Sequence, residues 1–507
     1  MDNLKAVLAK SLAVLGTGSD VGKSLMATAF CRMFARAGVR VAPFKAQNMS
    51  LNSFVTIEGG EMGRAQVLQA QACGLVPHVD MNPILLKPET DGRSQVIVRG
   101  KVWASHRARE YFDWKHELFE HVTRSFRRLA QQFDMVVIEG AGSAAEVNLR
   151  DRDIVNWPVV ELADAAVVLV ADIDRGGVFA QVIGTLDLLA PEERQRVIGI
   201  VINKFRGDVT LFDDGIRFLE ERTRVPVLGV IPFLRHLDLD QEDSLGIDRI
   251  AQPPFQPDKV NIAVVLVPHL SNFTDFNALA AEEDVIVRYV DNPDQLQGAD
   301  VVILPGSKTT IADLRDLANR GFVAAIQACP RRGIEVVGIC GGYQMLGEEV
   351  SDPQDVESGG TVPGLGLLGI VTELKPAKRT VQVQGIPLFS EAFSGTVVTG
   401  YEIHMGATTR KFGRPCFRLI EGPTALIEEG TCREDGMVWG TYLHGVFDAP
   451  AFRRRWLNAV RARKRLPLVN EQVSESVSKR LAGALDSWTD HVQSHLDLTP
   501  VWSALKL

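Results

Sequence analysis

Two short stretches, far apart in one chain, hold side chains suited to chemistry. The first is Gly16-Thr17-Gly18-Ser19-Asp20-Val21-Gly22-Lys23-Ser24. It reads as a phosphate cradle for ATP. Backbone N–H groups of a glycine-rich turn and a helix start face an anion. Lys23 neutralises the β- and γ-phosphates, and Ser24 offers a hydroxyl to Mg2+. The second stretch is Gly338-Ile339-Cys340-Gly341-Gly342. An apolar run ends in a cysteine followed by glycines, the pattern of a nucleophile on a sharp strand-to-helix turn. A helix N-terminus lowers a thiol pKa from its free value of about 8.5. The N–H of Gly341 is then placed to stabilise an oxyanion. Gly306, in Leu304-Pro305-Gly306-Ser307, is a candidate second donor.

A thiolate needs a base. His444, in Gly440-Thr441-Tyr442-Leu443-His444-Gly445, is the first candidate and His404, in Tyr401-Glu402-Ile403-His404-Met405-Gly406, its rival. On the phosphate side, Glu139 and Asp172 each end an apolar run. Carboxylates there lie where parallel sheets bind ligands. Glu139, Asp20 inside the loop, and Ser24 are the candidate Mg2+ ligands. Asn203-Lys204 after a later strand is a weaker candidate for reading a base. The polar run Lys45-Ala46-Gln47-Asn48 suggests a site for an acidic substrate, with Lys45, Gln47 and Asn48 as its candidate contacts.

These residues need an α/β frame. Continuous apolar runs at 11–15, 39–43, 135–138, 166–171, 197–202 and 227–231 read as strands, with a helix over 23–37 and helical sequence between later runs. That is the pattern of a parallel sheet covered on both faces. Three prolines in Gln252-Pro253-Pro254-Phe255-Gln256-Pro257 break it. The expected organisation is a P-loop ATPase domain over 1–250, a linker over 251–259 and a second α/β domain over 260–450. A helical tail follows over 451–507. Strands are expected in the second domain at 262–267, 301–304 and 335–339. Further runs at 366–372, 396–403 and 437–443 suggest a partly antiparallel sheet. The stretch beyond Ala449, with basic Arg453-Arg454-Arg455 and the run 461–465, reads as a solvated helical tail or subdomain.

The chain has 507 residues, enough for two or more full cores. A net charge of −8 argues against a general nucleic-acid binder. No apolar run reaches the roughly 20 residues of a membrane span, and the apolar 6–15 reads as a buried strand. Six scattered cysteines lack zinc-ligand spacing, so a reduced, cytoplasmic protein is expected.

Three resemblances follow from these motifs. The loop Gly16-Thr17-Gly18-Ser19-Asp20-Val21-Gly22-Lys23-Ser24 has threonine where the usual P-loop begins with glycine. In this it resembles the dethiobiotin synthetase family, whose members pass a γ-phosphate to a carboxylate. It lacks the early second lysine of the MinD/ParA partition ATPases. Gly-Ile-Cys-Gly-Gly-Tyr-Gln-Met-Leu-Gly and Tyr-Leu-His-Gly resemble the class I glutamine amidotransferases. Many of those follow the histidine with Pro-x-Glu, but here Gly445-Val446-Phe447-Asp448 stands instead. That leaves Asp448 or Glu402 as guesses for the group that orients His444. Over its whole length the chain is similar to the cobyric acid synthase family, notably at 43–52, 63–66, 78–83, 85–88 and 401–406. That resemblance implies ATP- and glutamine-dependent amidation of the b, d, e and g carboxylates of adenosylcobyrinic acid a,c-diamide. The substrate would then be a small-molecule corrinoid. The alternatives are a cobyrinic acid a,c-diamide synthase, a CTP-synthase-like amidotransferase, or a P-loop switch with an inactive amidotransferase-like domain.

Overall fold

A computed structural model describes residues 9–89, 93–107, 114–234, 237, 239, 253–421 and 425–506. Six strands form the first sheet. In spatial order they are Val227–Pro232, Val197–Phe205, Ala166–Asp172, Lys10–Gly16, Met135–Glu139 and Val41–Phe44. All pairs are parallel. Lys10–Gly16 lies in the middle, and every residue after Lys10 is buried. Such a strand cannot alternate polar and apolar residues, because both of its faces are covered. Expected and observed strands agree here to within a few residues. The helix Lys23–Arg36 leaves the central strand through the glycine-rich loop and ends before Gly38, whose φ is +81°.

The second sheet has the order Val285–Val290, Val260–Val265, Val301–Leu304, Glu335–Ile339, Val438–Thr441 and Thr431–Cys432. It is parallel except for its last pair. The expected antiparallel portion is a separate sheet, built on the long strands Ile370–Pro387 and Val398–Arg410. Val438–Thr441 belongs to the parallel sheet instead, which places the chain leading to His444 beside the strand that carries Cys340. Of the expected linker, 253–259 is coil and turn, and 251–252 lie outside the described residues.

Two features lie beyond the sequence reading. The polar run after Phe44 is not a loose loop. Gln47–Met49 pairs with Ile84–Pro88 in a small sheet, and Ser53–Val55 packs on the other half of the chain. There Val55 clusters with Tyr401 and Ile403. Tyr401 donates its hydroxyl to the Ser53 carbonyl at 3.1 Å.

The C-terminal helices are not a solvated tail. Pro450–Arg463 buries Phe452, Trp456 and Leu457 together with Arg453 and Arg454. Those two arginines pair with Glu282, and Arg454 also with Asp284 at 2.9 Å. A buried guanidinium is tolerable only with such partners. Val477–Gln493 packs on the loop helix, where Trp488 donates to the Leu25 carbonyl at 2.7 Å and Asp486 pairs with Arg32 at 2.7 Å.

Candidate active centres

The glycine-rich turn is shaped by its neighbours. Gly22 has φ +99°, and a Cβ there would stand 2.2 Å from the Asn203 amide nitrogen. Asn203 itself donates to the Val21 carbonyl at 2.9 Å. It therefore supports the turn. Lys204 and Arg175 hold Asp172 and Asp20 on the same flank: Lys204 meets Asp172 at 2.9 Å, and Arg175 meets Asp20 at 3.0 Å.

The other flank holds the polar centre. Lys23 donates to the carbonyls of Gly18 and Gly142, at 2.7 and 2.8 Å. Its ammonium is thus held at the mouth of the loop. Ser24 donates to Glu139 at 2.7 Å. Glu139 is fully buried and also accepts from Lys45 at 2.7 Å, Gln66 at 3.2 Å and Gln69 at 2.5 Å. Burial raises the Glu139 pKa, but Lys45, Ser24 and Gln69 outweigh it and hold the group below the ordinary carboxylate range. Gln66 and Gln69 are contacts that sequence reasoning missed. They share one face of the helix Arg64–Ala72 by their i, i+3 spacing.

A Mg2+ ion usually takes one or two protein oxygens and completes its shell with phosphates and water. Ser24 and Glu139 fit that role. Asp20 is drawn to Arg175 on the opposite flank. Beside Gly142 opens a cavity of ≈ 580 Å³, lined by Gln47, Met49, Leu149 and Asn156 among others. Of the three expected substrate contacts, Gln47 lines this cavity. Lys45 and Asn48 lie behind it, bonded to Glu139 and Gln66 respectively.

The second centre lies on the other half. Cys340 has φ +51° and ψ −108°, a conformation that costs of order 1–3 kcal/mol. It joins the strand Glu335–Ile339 to the short helix Gly341–Met345. The close turn needs Gly342, since a Cβ there would meet the Leu304 carbonyl at 2.0 Å. Gly341 abuts the backbone nitrogen of Ser307, and Gly306 abuts the His444 ring. The Gly341 and Gly306 turns thus lie against one another's neighbours, close to Cys340 and His444.

His444 is buried beside Cys340, whose thiol donates to the Ile403 carbonyl at 3.6 Å. Its Nδ1 lies 2.7 Å from Asp275, which also accepts the Gly445 N–H at 3.1 Å. Asp275 is thus the carboxylate that orients the ring, and both guesses from sequence fail. Glu402 instead pairs with Arg379 at 2.5 Å, and Asp448 ends the 3-10 turn Val446–Asp448, its N–H donating to the Gly445 carbonyl at 2.9 Å. Burial draws the His444 pKa down, but Asp275 and Cys340 outweigh it and push it up to about 10. His404 is a poor base by contrast. Burial holds its pKa at about 3, its Nδ1 donates to the Gly406 carbonyl at 2.9 Å, and its ring stacks on Tyr442.

The two halves meet at the turn that bears Asp275. Asn272 accepts from the Ser53 N–H at 3.0 Å, and Asn52 accepts from the Phe273 N–H at 3.2 Å. The Asn272 amide also lies within 3.5 Å of the His444 ring. No helix among the described residues is long and apolar enough to cross a membrane.

Comparison with known proteins agrees with this division. Residues 12–245 match the CobQ/CobB/MinD/ParA nucleotide binding domain, and 261–452 match the CobB/CobQ-like glutamine amidotransferase domain. The cobyric acid synthase of Citrobacter koseri is 48% identical over 98% of this chain and 99% of its own length. That of Salmonella choleraesuis is 46% identical over 98% of this chain and 99% of its own. Among solved structures, PurLQS from Thermotoga maritima is 18% identical, covering 45% of this chain and 99% of its own, with a TM-score of 0.29.

Proposed function

The chain belongs to the cobyric acid synthase family and is a glutamine-dependent ligase of cobalamin biosynthesis, and from that premise we propose that it amidates the b, d, e and g carboxylates of adenosylcobyrinic acid a,c-diamide. One observation carries the reading. An oriented Cys340–His444–Asp275 group and a Lys23–Ser24–Glu139 phosphate centre stand on one chain, joined through Asn52 and Asn272.

Glutamine is opened first. His444 takes the Cys340 thiol proton, and the sulfur attacks the side-chain amide carbon, forming a C–S bond and an oxyanion. The N–H groups near Gly341 and Gly306 stabilise that charge. His444 gives its proton to the nitrogen, the C–N bond breaks, and ammonia leaves. Water then attacks the thioester and gives a proton to His444. The C–S bond breaks, His444 returns that proton to the sulfur, and glutamate and the thiol are freed. Asp275 holds the ring in one orientation throughout.

At the other centre, a corrinoid carboxylate oxygen attacks the γ-phosphorus of ATP and ADP leaves. Lys23 and the loop N–H groups hold the phosphates in place, because such transfers depend mainly on positioning and electrostatics. Mg2+ held by Ser24 and Glu139 would neutralise charge on those phosphates. Ammonia then attacks the acyl phosphate carbon, phosphate leaves and an amide remains. The ≈ 580 Å³ cavity beside Gly142, where Met49, Leu86, Val96, Leu149 and Trp157 stand beside Arg150 and Arg152, suits one edge of a macrocycle.

The test is turnover with cobyrinic acid a,c-diamide, ATP and glutamine, read by mass. Four OH-to-NH2 exchanges are expected. Turnover of cobyrinic acid itself, with none of the diamide, would instead identify an a,c-diamide synthase. Cys340→Ser should stop glutamine-driven amidation while added ammonium still supports it. Lys23→Ala should stop both. Amidation by the Lys23 variant with ammonium would refute the phosphate assignment.

A further inference from the structure

Cys340 opens onto a small space that both halves of the chain build. Lys87 comes from the N-terminal half, and Lys308, Lys378, Glu357 and His404 from the C-terminal half. At ≈ 50 Å³ it is far smaller than the cavity beside Gly142 and has no room for a macrocycle.

Its charges do not balance. Lys87 and Lys378 both bind the buried carboxylate of Glu61, Lys87 at 2.7 Å and Lys378 at 2.5 Å. Two ammonium groups on one carboxylate leave a positive excess of one. Burial and the nearby Lys87 and Lys308 depress the Lys378 pKa to about 8 against the pull of Glu61, so it is still largely charged at neutral pH. Lys308 adds a third ammonium, paired with Glu89 at 2.7 Å. Buried excess charge is costly unless a counter-charge meets it.

The opposite need is present in the same space. His404 donates from Nδ1 to the Gly406 carbonyl, so its Nε2 carries a lone pair. That Nε2 is buried without a hydrogen-bond partner. Burial raises the Glu357 pKa to about 8, leaving a carboxyl ready to ionise beside a cation.

We propose that this space is a cradle for the amino-acid head of glutamine, in which Lys87, Lys308 and Lys378 receive the α-carboxylate while His404 and Glu357 accept from the α-ammonium. The proposal rests on Cys340 being the nucleophile. It makes the glutamine site composite: Lys87, and the Glu61 that aligns Lys378, belong to the ATP-binding half. Glutamine is therefore gripped only when the two halves are docked.

The experiment compares two reagents on the full-length protein. Diazo-oxo-norleucine carries the α-amino-acid head; iodoacetamide does not. Modification of Cys340 is followed by mass. Lys378→Met leaves Glu61 paired with Lys87, and it should slow the first reagent about tenfold or more, the scale of one charged hydrogen bond. It should change the second by less than about twofold. Lys378→Arg should restore the first rate, and His404→Phe, which keeps a ring against Tyr442, should slow it. Equal slowing of both reagents by Lys378→Met, or no slowing of either, overturns the cradle. If iodoacetamide does not modify Cys340 in the wild type, the nucleophile assignment fails and the cradle fails with it.

Discussion

Asp275→Asn is the sharpest perturbation of the cysteine centre. The pKa of His444 stands at about 10 against an ordinary 6.5. The difference of about 3.5 pH units, at about 1.36 kcal/mol per unit, comes to ~5 kcal/mol. Asp275 and Cys340 share it, against the opposing effect of burial. If Asp275 supplies half, its loss weakens the imidazolium by ~2–3 kcal/mol, or about a hundredfold in rate. The amide also presents N–H to Nδ1, which moves the ring proton to Nε2 and removes the acceptor facing Cys340. The matching change in Ser-His-Asp sites costs about 10⁴ in kcat. Glutamine hydrolysis should therefore fall between about 10² and 10⁴. The sign with pH is fixed too. A histidine whose folded pKa is raised stabilises the fold fully below pH 6.5 and loses that contribution as pH rises through about 10. The alkaline limb of the glutaminase profile should sit near pH 10 in the wild type and move down toward 6.5 in the variant. The assay is glutamate release across pH 6 to 11 with ATP and corrinoid present. A loss of less than about tenfold, or an unmoved alkaline limb, would refute the role given to Asp275.

Asn52→Ala should leave the Phe273 N–H buried and unpaired, at a cost of about 1–3 kcal/mol. Glutamine hydrolysis should drop about tenfold or more, and equal hydrolysis by variant and wild type would show that Asn52 does not hold the Asp275 turn. Arg454→Met should destabilise by about 3–5 kcal/mol, since it strips a partner from Glu282 and Asp284. In calorimetry at pH 7 this lowers Tm by roughly 6–20 °C. Both carboxylates are held below their ordinary pKa despite burial, Glu282 by Arg453, Ser474 and Arg454, and Asp284 by Arg454 and Arg461. Their contribution is therefore present at neutral pH and lost on acidification through the folded pKa values, so the Tm gap between variant and wild type should narrow in acid.

The parts of the molecule legible in the sequence are those where one local rule decides. The strand Lys10–Gly16 is covered on both faces, so its sequence has to be continuously apolar. The turn at Cys340 needs small neighbours, and Gly341 and Gly342 supply them. Asp275 was hidden because the rule it obeys is tertiary. It sits on a 3-10 turn, 169 residues before the ring it orients. The one local sign was Asn272, a non-glycine residue held at φ +53° just before that turn, and sequence alone does not reveal φ. Arg453 and Arg454 misled for a similar reason. Their partner Glu282 lies about 171 residues away, and a basic run whose partners are distant looks solvated. Gln66 and Gln69 look like ordinary helix residues along the chain, and only the fold carries the Glu139 carboxylate to their amides.

The packing of Val477–Gln493 on the loop helix also sets an order of events in time. Trp488 reaches the Leu25 carbonyl across 463 residues of chain. Trp502 lies edge-on to Phe34, further along the same helix. A ribosome adds roughly 5–20 residues per second. The helix that follows the phosphate cradle is thus made within seconds, yet waits roughly half a minute or longer for its outer cover. In that interval its apolar flank, with Phe30 and Phe34, faces solvent and chaperones. The cradle's helix is thus synthesised well before the helix that covers its flank.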